Sequence, residues 1–547
     1  MKMKFKSIIC AALAILCLGS CNRFFEPQLD NKLDSEDSYT DRSNIYAAFM
    51  GLYSLLQEVA PHLVVLSELQ GDLITPTTKA PDAYWDVFRY QVQDGNPVAD
   101  PSPLYKVVVN CNDFLRNTVA YNHKYPGVLP EANYKQMIAG AVNLRTWAYL
   151  NIGKLYGRAA YYDYALTEEH ALEKGKILSF DELVKELIFF INTGVDGING
   201  LRRAEIANIL GTTGIWTNVQ ISADALLTEL YLWNKDYESA AKRGLNMITG
   251  QAITAAGNNH KYTLSPQFGA GAGALKKWET LFTEDPVSVH VSEGNTLVIY
   301  DDNQRQENPL YTLFSNDTRC KFYLQPTTML VSKFTGPDYK KGVGTIQDPR
   351  GPEVTYATVD GERVLYKYLK DRTLQDQDAT IYLYRAAEVH MMIAEALSAL
   401  GNYDAAEAIL NVGFQPYWVA GNRYSEPFSA PIYAYEKLKL GRGVRGRLNL
   451  PALYSTDDRF MPADIVPGSA EYFARRRAVV DSLIIEETAR EFAGEGKRWF
   501  TMMRIARNSG HPEILARHIC LKFSDADRTK YYATMLDEKN WFIDYGL

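Results

Sequence analysis

Three glutamates, Glu487, Glu491 and Glu495, follow one another at intervals of four near the C-terminus, with basic residues beside them. Paired carboxylates can serve as acid and base in glycoside hydrolysis, but they then face each other across a cleft that holds the sugar. On a helix, residues four apart share one edge, and Arg498 and Arg504 lie within reach of that edge. Such clusters are more often structural ion pairs than catalysts. The spacing therefore predicts a structural clamp.

Local enzyme motifs are not found in the 547 residues. The sequence contains no GxSxG, HExxH or Walker-type loop, and its eight histidines show no metal-ligand spacing. Cys111, Cys320 and Cys520 are far apart, which indicates neither a zinc site nor a disulfide framework. We therefore predict no catalytic residue, no metal and no cofactor. A hydrolase that uses two carboxylates needs no local motif, so a surface glycoside hydrolase remains an alternative.

The N-terminal residues are typical of an export signal that ends in a lipid-modified cysteine. Three lysines precede an apolar run over about residues 7–19, and small residues stand directly before Cys21, in a pattern that resembles the lipobox of bacterial lipoproteins. We expect a signal peptide over residues 1–20, a lipid on Cys21 and a tether over residues 21–40. An exported protein with a chance cysteine is the alternative.

The formal charge of −7 argues against nucleic acid as a partner.

Helical periodicity predominates after the tether, and we expect one mainly α-helical domain over residues 41–547. Ile45, Phe49, Leu52 and Leu56 are spaced by four, three and four, which places them on one face of a helix. A second long helix is predicted from Asn133 to about Tyr156. An irregular, loop-rich part is predicted over about residues 250–380, where Gly, Pro, Asn and Asp recur between short β-like pieces.

Two segments, residues 225–241 and 391–407, look like copies of one helical hairpin. Three positions agree between them: Glu229 with Glu395, Tyr237 with Tyr403, and Ala240 with Ala406. The small alanine after each tyrosine lets the two helices approach closely. The pattern is similar to a tetratricopeptide hairpin, although the Trp and Pro of that consensus are missing, and chance similarity of two amphipathic helix pairs is the alternative.

Several stretches share one resemblance and follow one another in chain order. They are CNRFFEP, NCNDFL, NLRTWAYLNIGKLYG, NKDYESA, IYLYRAAEVHMMIAEALSALGNYDAAEAILN and EETAREFAGEGKRWFTMMR. Together they resemble the SusD/RagB family, the outer-membrane nutrient-binding lipoproteins of the Bacteroidota, and the resemblance covers essentially all of residues 21–547. Thr488 and Thr501 depart from residues that are usual in the family.

The resemblance implies tetratricopeptide-like hairpins packed against a loop-rich, ligand-facing part. It also implies a non-catalytic protein that is anchored in the outer membrane through Cys21 and exposed at the cell surface. Such proteins capture oligosaccharides, or in some cases peptides, and deliver them to a SusC-like TonB-dependent transporter. The helical side is expected to meet the transporter and the irregular side the ligand.

Candidate ligand-binding residues lie in two polar, aromatic stretches. Sugar recognition needs flat aromatic faces against the C–H side of a pyranose and polar groups that reach its hydroxyls. The first stretch is predicted to be a turn-rich loop, where family members also contribute to the ligand site, and the alternative for its tryptophan is a place in the core. The predicted residues are Asp72, Tyr84, Trp85 and Asn96 in the first stretch, and Tyr300 and Tyr311 in the second.

Overall fold

The structure is a computed structural model whose described residues fall into many segments. The predicted signal peptide, Cys21 and nearly all of the predicted tether lie outside them, as does about half of the predicted irregular part. For residues 295–300, 340–341 and 344–345 the backbone alone is described. The described residues are 39–163, 165, 175–201, 220–249, 264, 281–282, 295–300, 308–334, 340–341, 344–345, 348–368, 379–413, 443–448 and 450–545.

Helices make up most of the regular structure among these residues. Short 3-10 turns cover Gly446–Leu448, Cys520–Lys522 and Glu538–Trp541. The α-helices are α1 (Arg42–Ser54), α2 (Leu56–Gln70), α3 (Asp82–Phe88), α4 (Ser102–Lys124), α5 (Glu131–Tyr156), α6 (Phe180–Thr193), α7 (Ala223–Trp233), α8 (Tyr237–Thr249), α9 (Pro309–Phe314), α10 (Thr328–Ser332), α11 (Ala386–Ala399), α12 (Tyr403–Leu410), α13 (Ala470–Glu491), α14 (Arg498–Ser509), α15 (Glu513–Ile519) and α16 (Asp525–Met535).

The strands form small antiparallel pairs, β1 with β5, β2 with β3, β4 with β10, β6 with β7 and β8 with β9. In the first pair, Thr75 lies opposite Gln325, so this ladder joins two distant parts of the chain. The strands are β1 (Ile74–Pro76), β2 (Arg158–Tyr161), β3 (Lys176–Ser179), β4 (Asn295–Tyr300), β5 (Leu324–Pro326), β6 (Lys340–Lys341), β7 (Gly344–Thr345), β8 (Tyr356–Val359), β9 (Glu362–Leu365) and β10 (Ala379–Arg385).

The helix predicted over residues 133–156 is the central helix α5. Every residue from Met137 to Tyr156 is buried, because other helices and short strands cover α5 on all sides. Gly153 permits a close approach of α6: a Cβ there would lie 2.6 Å from a ring carbon of Phe180, the first residue of α6. The position therefore excludes any side chain larger than hydrogen without a shift of α6.

The predicted apolar face at the start of the domain is buried as expected. Its four residues, Ile45, Phe49, Leu52 and Leu56, belong to the core, although the helix is divided so that α1 ends at Ser54 and α2 follows at Leu56. Among the described residues, one stretch, from α1 through α2, is long and apolar enough to cross a bilayer. Of the 18-residue window that meets this criterion, 61% is buried within the fold, as in the core helix of a globular protein.

The two predicted helical hairpins are present as α7 with α8 and α11 with α12, and α8 packs against α11. The matched glutamates have the same environment, since both are buried and each binds a base from elsewhere in the chain. Glu229 accepts from Nζ of Lys154 at 2.9 Å, and Glu395 binds Arg504 at 2.7 and 2.8 Å. The repeated carboxylates thus tie the hairpins to α5 and α14.

The prediction that Glu487, Glu491 and Glu495 lie on one helix is wrong. Helix α13 ends at Glu491, and α14 begins only at Arg498. Gly494 and Gly496, with φ of 77° and 71°, form the turn between them and adopt the left-handed conformation that glycine accepts without strain. The turn also lies so close to α2 that a Cβ at Gly496 would be 2.5 Å from Oγ of Ser67.

Candidate ligand-binding surface

The glutamates of the predicted clamp lie in the interior of the protein. Glu491 has no exposed surface; Nη1 of Arg385 donates to one of its oxygens at 2.7 Å, Nη1 of Arg350 donates to the other at 2.7 Å, and Arg447 binds the first as well. Burial acts to raise the pKa of this carboxyl, but the nearby guanidinium charges outweigh burial and lower the pKa. Glu491 is therefore an ionised, fully paired structural group.

The same arrangement extends to the neighbouring glutamates. Glu495 accepts from Nε of Arg385 at 2.8 Å and from Nζ of Lys367 at 2.8 Å, and Glu487 accepts from Nη1 of Arg445 at 2.7 Å. A clamp is confirmed, since each of these buried carboxylates is paired with basic groups.

The predicted partners of the clamp were wrong, because Arg498 and Arg504 do not satisfy these glutamates. The turn before α14 directs Arg504 to Glu395 and Arg498 to Asp72. The actual partners come from β10 and from loops far away in sequence, which helical spacing cannot reveal.

Asp72 lies two residues after the end of α2, where the predicted ligand segment begins. Its two carboxylate oxygens accept from Nε and Nη2 of Arg498 at 2.5 and 2.7 Å, and the residue is fully buried. Burial acts to raise the pKa of Asp72, but the charge of Arg498 outweighs it and lowers the pKa to about 2. In this structure Asp72 anchors the segment to α14 and presents no surface to a ligand.

Tyr84 and Trp85 lie on the short helix α3, so their predicted placement on a loop is wrong. Both side chains are half-buried. The ring of Trp85 meets that of Phe88 edge-on at 5.7 Å, and the guanidinium of the exposed Arg89 lies 4.7 Å from the Trp85 ring centroid. Trp85 is thus neither a core residue nor a fully exposed ring. One part of its side chain packs against Phe88, and another part is exposed to solvent.

Tyr323 joins this pair from a distant part of the chain. Its ring lies 5.3 Å from that of Tyr84 at 65°, and it is also half-buried. The ladder of β1 with β5 brings the two tyrosines together, and the amide of Thr77 extends it by donating to the carbonyl of Tyr323 at 2.8 Å. Sequence reasoning missed Tyr323; the β-like stretch KFYLQ that contains it was the available signal. We name Tyr84, Trp85, Arg89 and Tyr323 the aromatic surface.

Two bulky residues beside the aromatic surface have strained backbones. Tyr90, just after α3, has φ of 57°, and Phe322, just before Tyr323, has φ of 47°. Positive φ is unfavourable for aromatic residues and persists where surrounding contacts enforce it, often at ligand sites. The hydroxyl of Tyr90 donates to the carbonyl of Gln70, and Thr77 donates to the carbonyl of Phe322 at 2.5 Å. These contacts fix the segments on both sides of the aromatic surface.

The other three predicted residues occupy different settings. Asn96 is 5% exposed; its amide donates to the carbonyl of Ala83 at 3.0 Å and its oxygen accepts from the amides of Val98 and Ala99, so it supports α3 from behind. Tyr311 is 1% exposed, on α9. Tyr300 is the last residue of β4 and pairs with Ala379, and the structure describes only its backbone. The structure therefore brings Tyr84, Trp85 and Asn96 together, and it does not bring Tyr311 to the surface.

The chemistry available at the aromatic surface is stacking combined with hydrogen-bond donation. Rings from two segments offer apolar area, and Arg89 offers several N–H donors in a fixed plane. The exposed Lys79, whose Nζ lies 5.6 Å from the Phe322 ring centroid, adds a further donor nearby. Among the residues that the structure describes, no group of three His, Cys, Asp or Glu is placed to hold a metal.

A cavity of about 50 Å³ lies between α2, α5, α7, β10, α11 and α14. Its walls carry the paired groups Lys154 with Glu229 and Lys497 with Glu388. Binding sites for small organic molecules are typically about 300 Å³ or larger, whereas a cavity of this size and polarity suits water. The cavity is therefore not a candidate sugar site.

Comparisons with known proteins give matches of two kinds. Residues 296–544 match the SusD family. The fold is similar to that of a SusD superfamily protein from Bacteroides vulgatus, with a TM-score of 0.62 and 14% identity over 92% of this chain and 96% of that chain. A comparison with curated proteins gives no match.

Two further solved structures are similar to this chain. One is a laminarin binding SusD-like protein, with a TM-score of 0.57 and 15% identity over 90% of this chain and 95% of that chain. The other is surface glycan-binding protein A from Bacteroides uniformis, with a TM-score of 0.56 and 17% identity over 86% and 90% of the two chains. The predicted mainly α-helical fold is confirmed.

Proposed function

We propose that the chain is a SusD/RagB family protein, as the match of residues 296–544 supports, and that it captures an oligosaccharide at the cell surface and delivers it to a SusC-like TonB-dependent transporter. The SusD family is a family of non-catalytic binding proteins, which argues against the glycoside hydrolase alternative. The ion pairing of Glu487, Glu491 and Glu495 agrees with this, since all three carboxylates are buried and paired with arginines.

The aromatic surface is the observation that carries the proposal of a glycan ligand. Three half-buried rings from two distant segments stand together, with the donors of Arg89 and Lys79 beside them. A pyranose presents C–H groups to such rings and hydroxyls to such donors. The laminarin and glycan binding named for two similar structures favours the same ligand class over peptide.

The anchoring and the domain division belong to the same proposal. A lipid on Cys21, with residues 21–40 as a tether, would hold the single domain over residues 41–547 at the outer membrane. Incorporation of labelled palmitate into the parent and its loss in Cys21→Ala test this part. Recovery of unlabelled parent protein in a periplasmic extract would contradict it. Co-purification with a TonB-dependent transporter tests the delivery step.

Calorimetry of the purified protein against a panel of polysaccharides that includes laminarin, and against a peptide mixture, tests the ligand class. We expect binding to at least one polysaccharide, and binding to peptides alone would overturn the glycan proposal. Trp85→Ala and Tyr323→Ala should each weaken binding roughly tenfold, or about 1.4 kcal/mol, since each removes an aromatic face that a sugar would cover. Phe189→Ala removes a ring that is 63% exposed on α6 and serves as the matched control. Parent-like affinity in Trp85→Ala would remove the site assignment.

A further inference from the structure

Lys522, in the 3-10 turn after α15, extends its side chain to the C-terminal end of α2. Its Nζ lies 2.9 Å from the carbonyl oxygen of Leu69, 3.0 Å from that of Gly71 and 3.4 Å from that of Gln70. It also lies 3.1 Å from the hydroxyl oxygen of Tyr90. One ammonium group thus contacts four oxygen atoms: two from the last residues of α2, one from Gly71 at the start of segment 71–90 and one from Tyr90 at its end.

Aromatic rings enclose the remaining sides of this ammonium group. Its Nζ lies 4.3 Å from the ring centroid of Phe88, 4.5 Å from that of Tyr90 and 5.4 Å from that of Phe523. Cations at such distances are attracted to ring faces. Burial lowers the pKa of Lys522 well below its ordinary value, and the negative charge of Asp72 acts in the opposite direction.

A cation is well suited to this place for two reasons. The last carbonyls of a helix have no partner within the helix and carry the negative end of its dipole, so a lysine can cap them. The same group also reaches Tyr90, whose positive φ needs enforcing contacts. Lys522 therefore connects the start of segment 71–90 to its strained end.

We propose that Lys522 is a positioning residue for the aromatic surface: by binding Leu69, Gly71 and Tyr90 together, it holds segment 71–90 closed and so fixes Tyr84 and Trp85. Its effect on ligand affinity rests on the proposed function, whereas its effect on the segment does not. Closing the segment in the free protein lowers the ordering cost that a ligand would otherwise meet.

Hydrogen exchange followed by mass spectrometry, on detergent-solubilised full-length protein, tests the effect on the segment. Lys522→Met keeps an unbranched side chain that is one atom shorter and removes the ammonium group. We expect faster amide exchange across residues 71–90 and roughly tenfold weaker binding of the glycan found for the parent, since hydrogen bonds to charged groups are strong. Lys539→Met, at an exposed lysine paired with Asp537, is the matched control and should change neither quantity.

Chemical rescue separates positioning from general stability. In Lys522→Ala, n-propylammonium chloride supplies the atoms that the substitution removes, and it should restore slow exchange and affinity, whereas sodium chloride at equal ionic strength should not. Parent-like exchange across residues 71–90 in Lys522→Met would overturn the proposal. If the lysine variants do not fold, Tyr90→Phe provides the same test, because it removes the hydroxyl that Lys522 contacts. Parent-like exchange across residues 71–90 in Tyr90→Phe would also overturn the proposal. A parent that binds no glycan counts against the proposed function alone, because exchange needs no ligand.

Discussion

Glu491 shows how a residue that looks catalytic from its neighbours can be structural. Its carboxylate joins Arg350, Arg385 and Arg447, which come from three separate segments, and it is inaccessible to any substrate. Charges buried this deeply are tolerated only when they are paired, so removing one partner leaves uncompensated charge in the interior. Because Glu491 is buried and paired, it contributes to folding and cannot contact a ligand.

Glu491→Gln should lower the free energy of unfolding by about 3–5 kcal/mol, because three guanidinium groups lose the charge they surround. Urea unfolding at neutral pH, followed by circular dichroism, measures the change. Glu131→Gln alters a glutamate whose side chain is 78% exposed and should shift stability by no more than about 0.5 kcal/mol. Equal stability of Glu491→Gln and the parent would contradict the clamp.

Glu68 on α2 is a second buried carboxylate, and its hydrogen-bond partner is a backbone amide. It accepts from the amide of Gly496 at 2.8 Å, and burial raises its pKa from 4.5 to about 7, against the lowering effects of that hydrogen bond and of Lys367. A carboxyl whose pKa is raised by folding stabilises the protein below its unfolded pKa, and this contribution is lost as the pH rises through the folded pKa.

Glu68→Gln should therefore gain stability relative to the parent as the pH rises from about 5 to 8. Glutamine keeps an acceptor for Gly496 and carries no charge, so the difference between the two proteins isolates this one titration. Denaturant unfolding of both proteins at several pH values measures the difference. A difference that stays constant across this range would show that Glu68 does not titrate there.

At the scale of elements, helical periodicity was sufficient for α1, α5 and both hairpins, because each buries a continuous apolar face. It failed where local turns override the pattern. Gly494 and Gly496 break the helix that the glutamate spacing suggested, and the seven residues of α3 are too few for a periodic signal in a stretch rich in turn formers. Close packing is likewise invisible in sequence until the neighbouring element is known.

Gly153→Ala should destabilise the protein by roughly 1–3 kcal/mol, because the new Cβ would lie 2.6 Å from Phe180 and 2.9 Å from Leu183 on α6. Gly51→Ala is the matched control, since a Cβ there meets nothing within 4 Å in the exposed part of α1. Helix propensity should make that variant about 0.5–1 kcal/mol more stable. Thermal unfolding compares the two, and destabilisation of similar size in both would contradict the packing account.

At the scale of the whole molecule, long-range pairing decides what sequence reasoning could find of the candidate site. Tyr84 and Trp85 were accessible to it because adjacent aromatic residues in a polar stretch are visible in the sequence. Tyr323 was not, since only the ladder of β1 with β5 brings it near. Asp72 was misplaced for the same reason: its partner Arg498 lies 426 positions away, so nothing local showed that the carboxylate was already engaged.

The same long-range pairing predicts that the described parts unfold together. One hydrophobic cluster includes residues from Ile45 to Tyr545, and the pair of Asp72 with Arg498 joins its two ends. Asp72→Asn should therefore lower the free energy of unfolding by about 3 kcal/mol and move the midpoint of a single urea transition to a lower concentration. The N-terminal helices should not unfold in a separate transition. Asp544→Asn, at a side chain that is 88% exposed, is the control. Far-ultraviolet circular dichroism and tryptophan fluorescence should give coincident curves; two separated transitions in the parent would instead divide residues 41–547 into independent units.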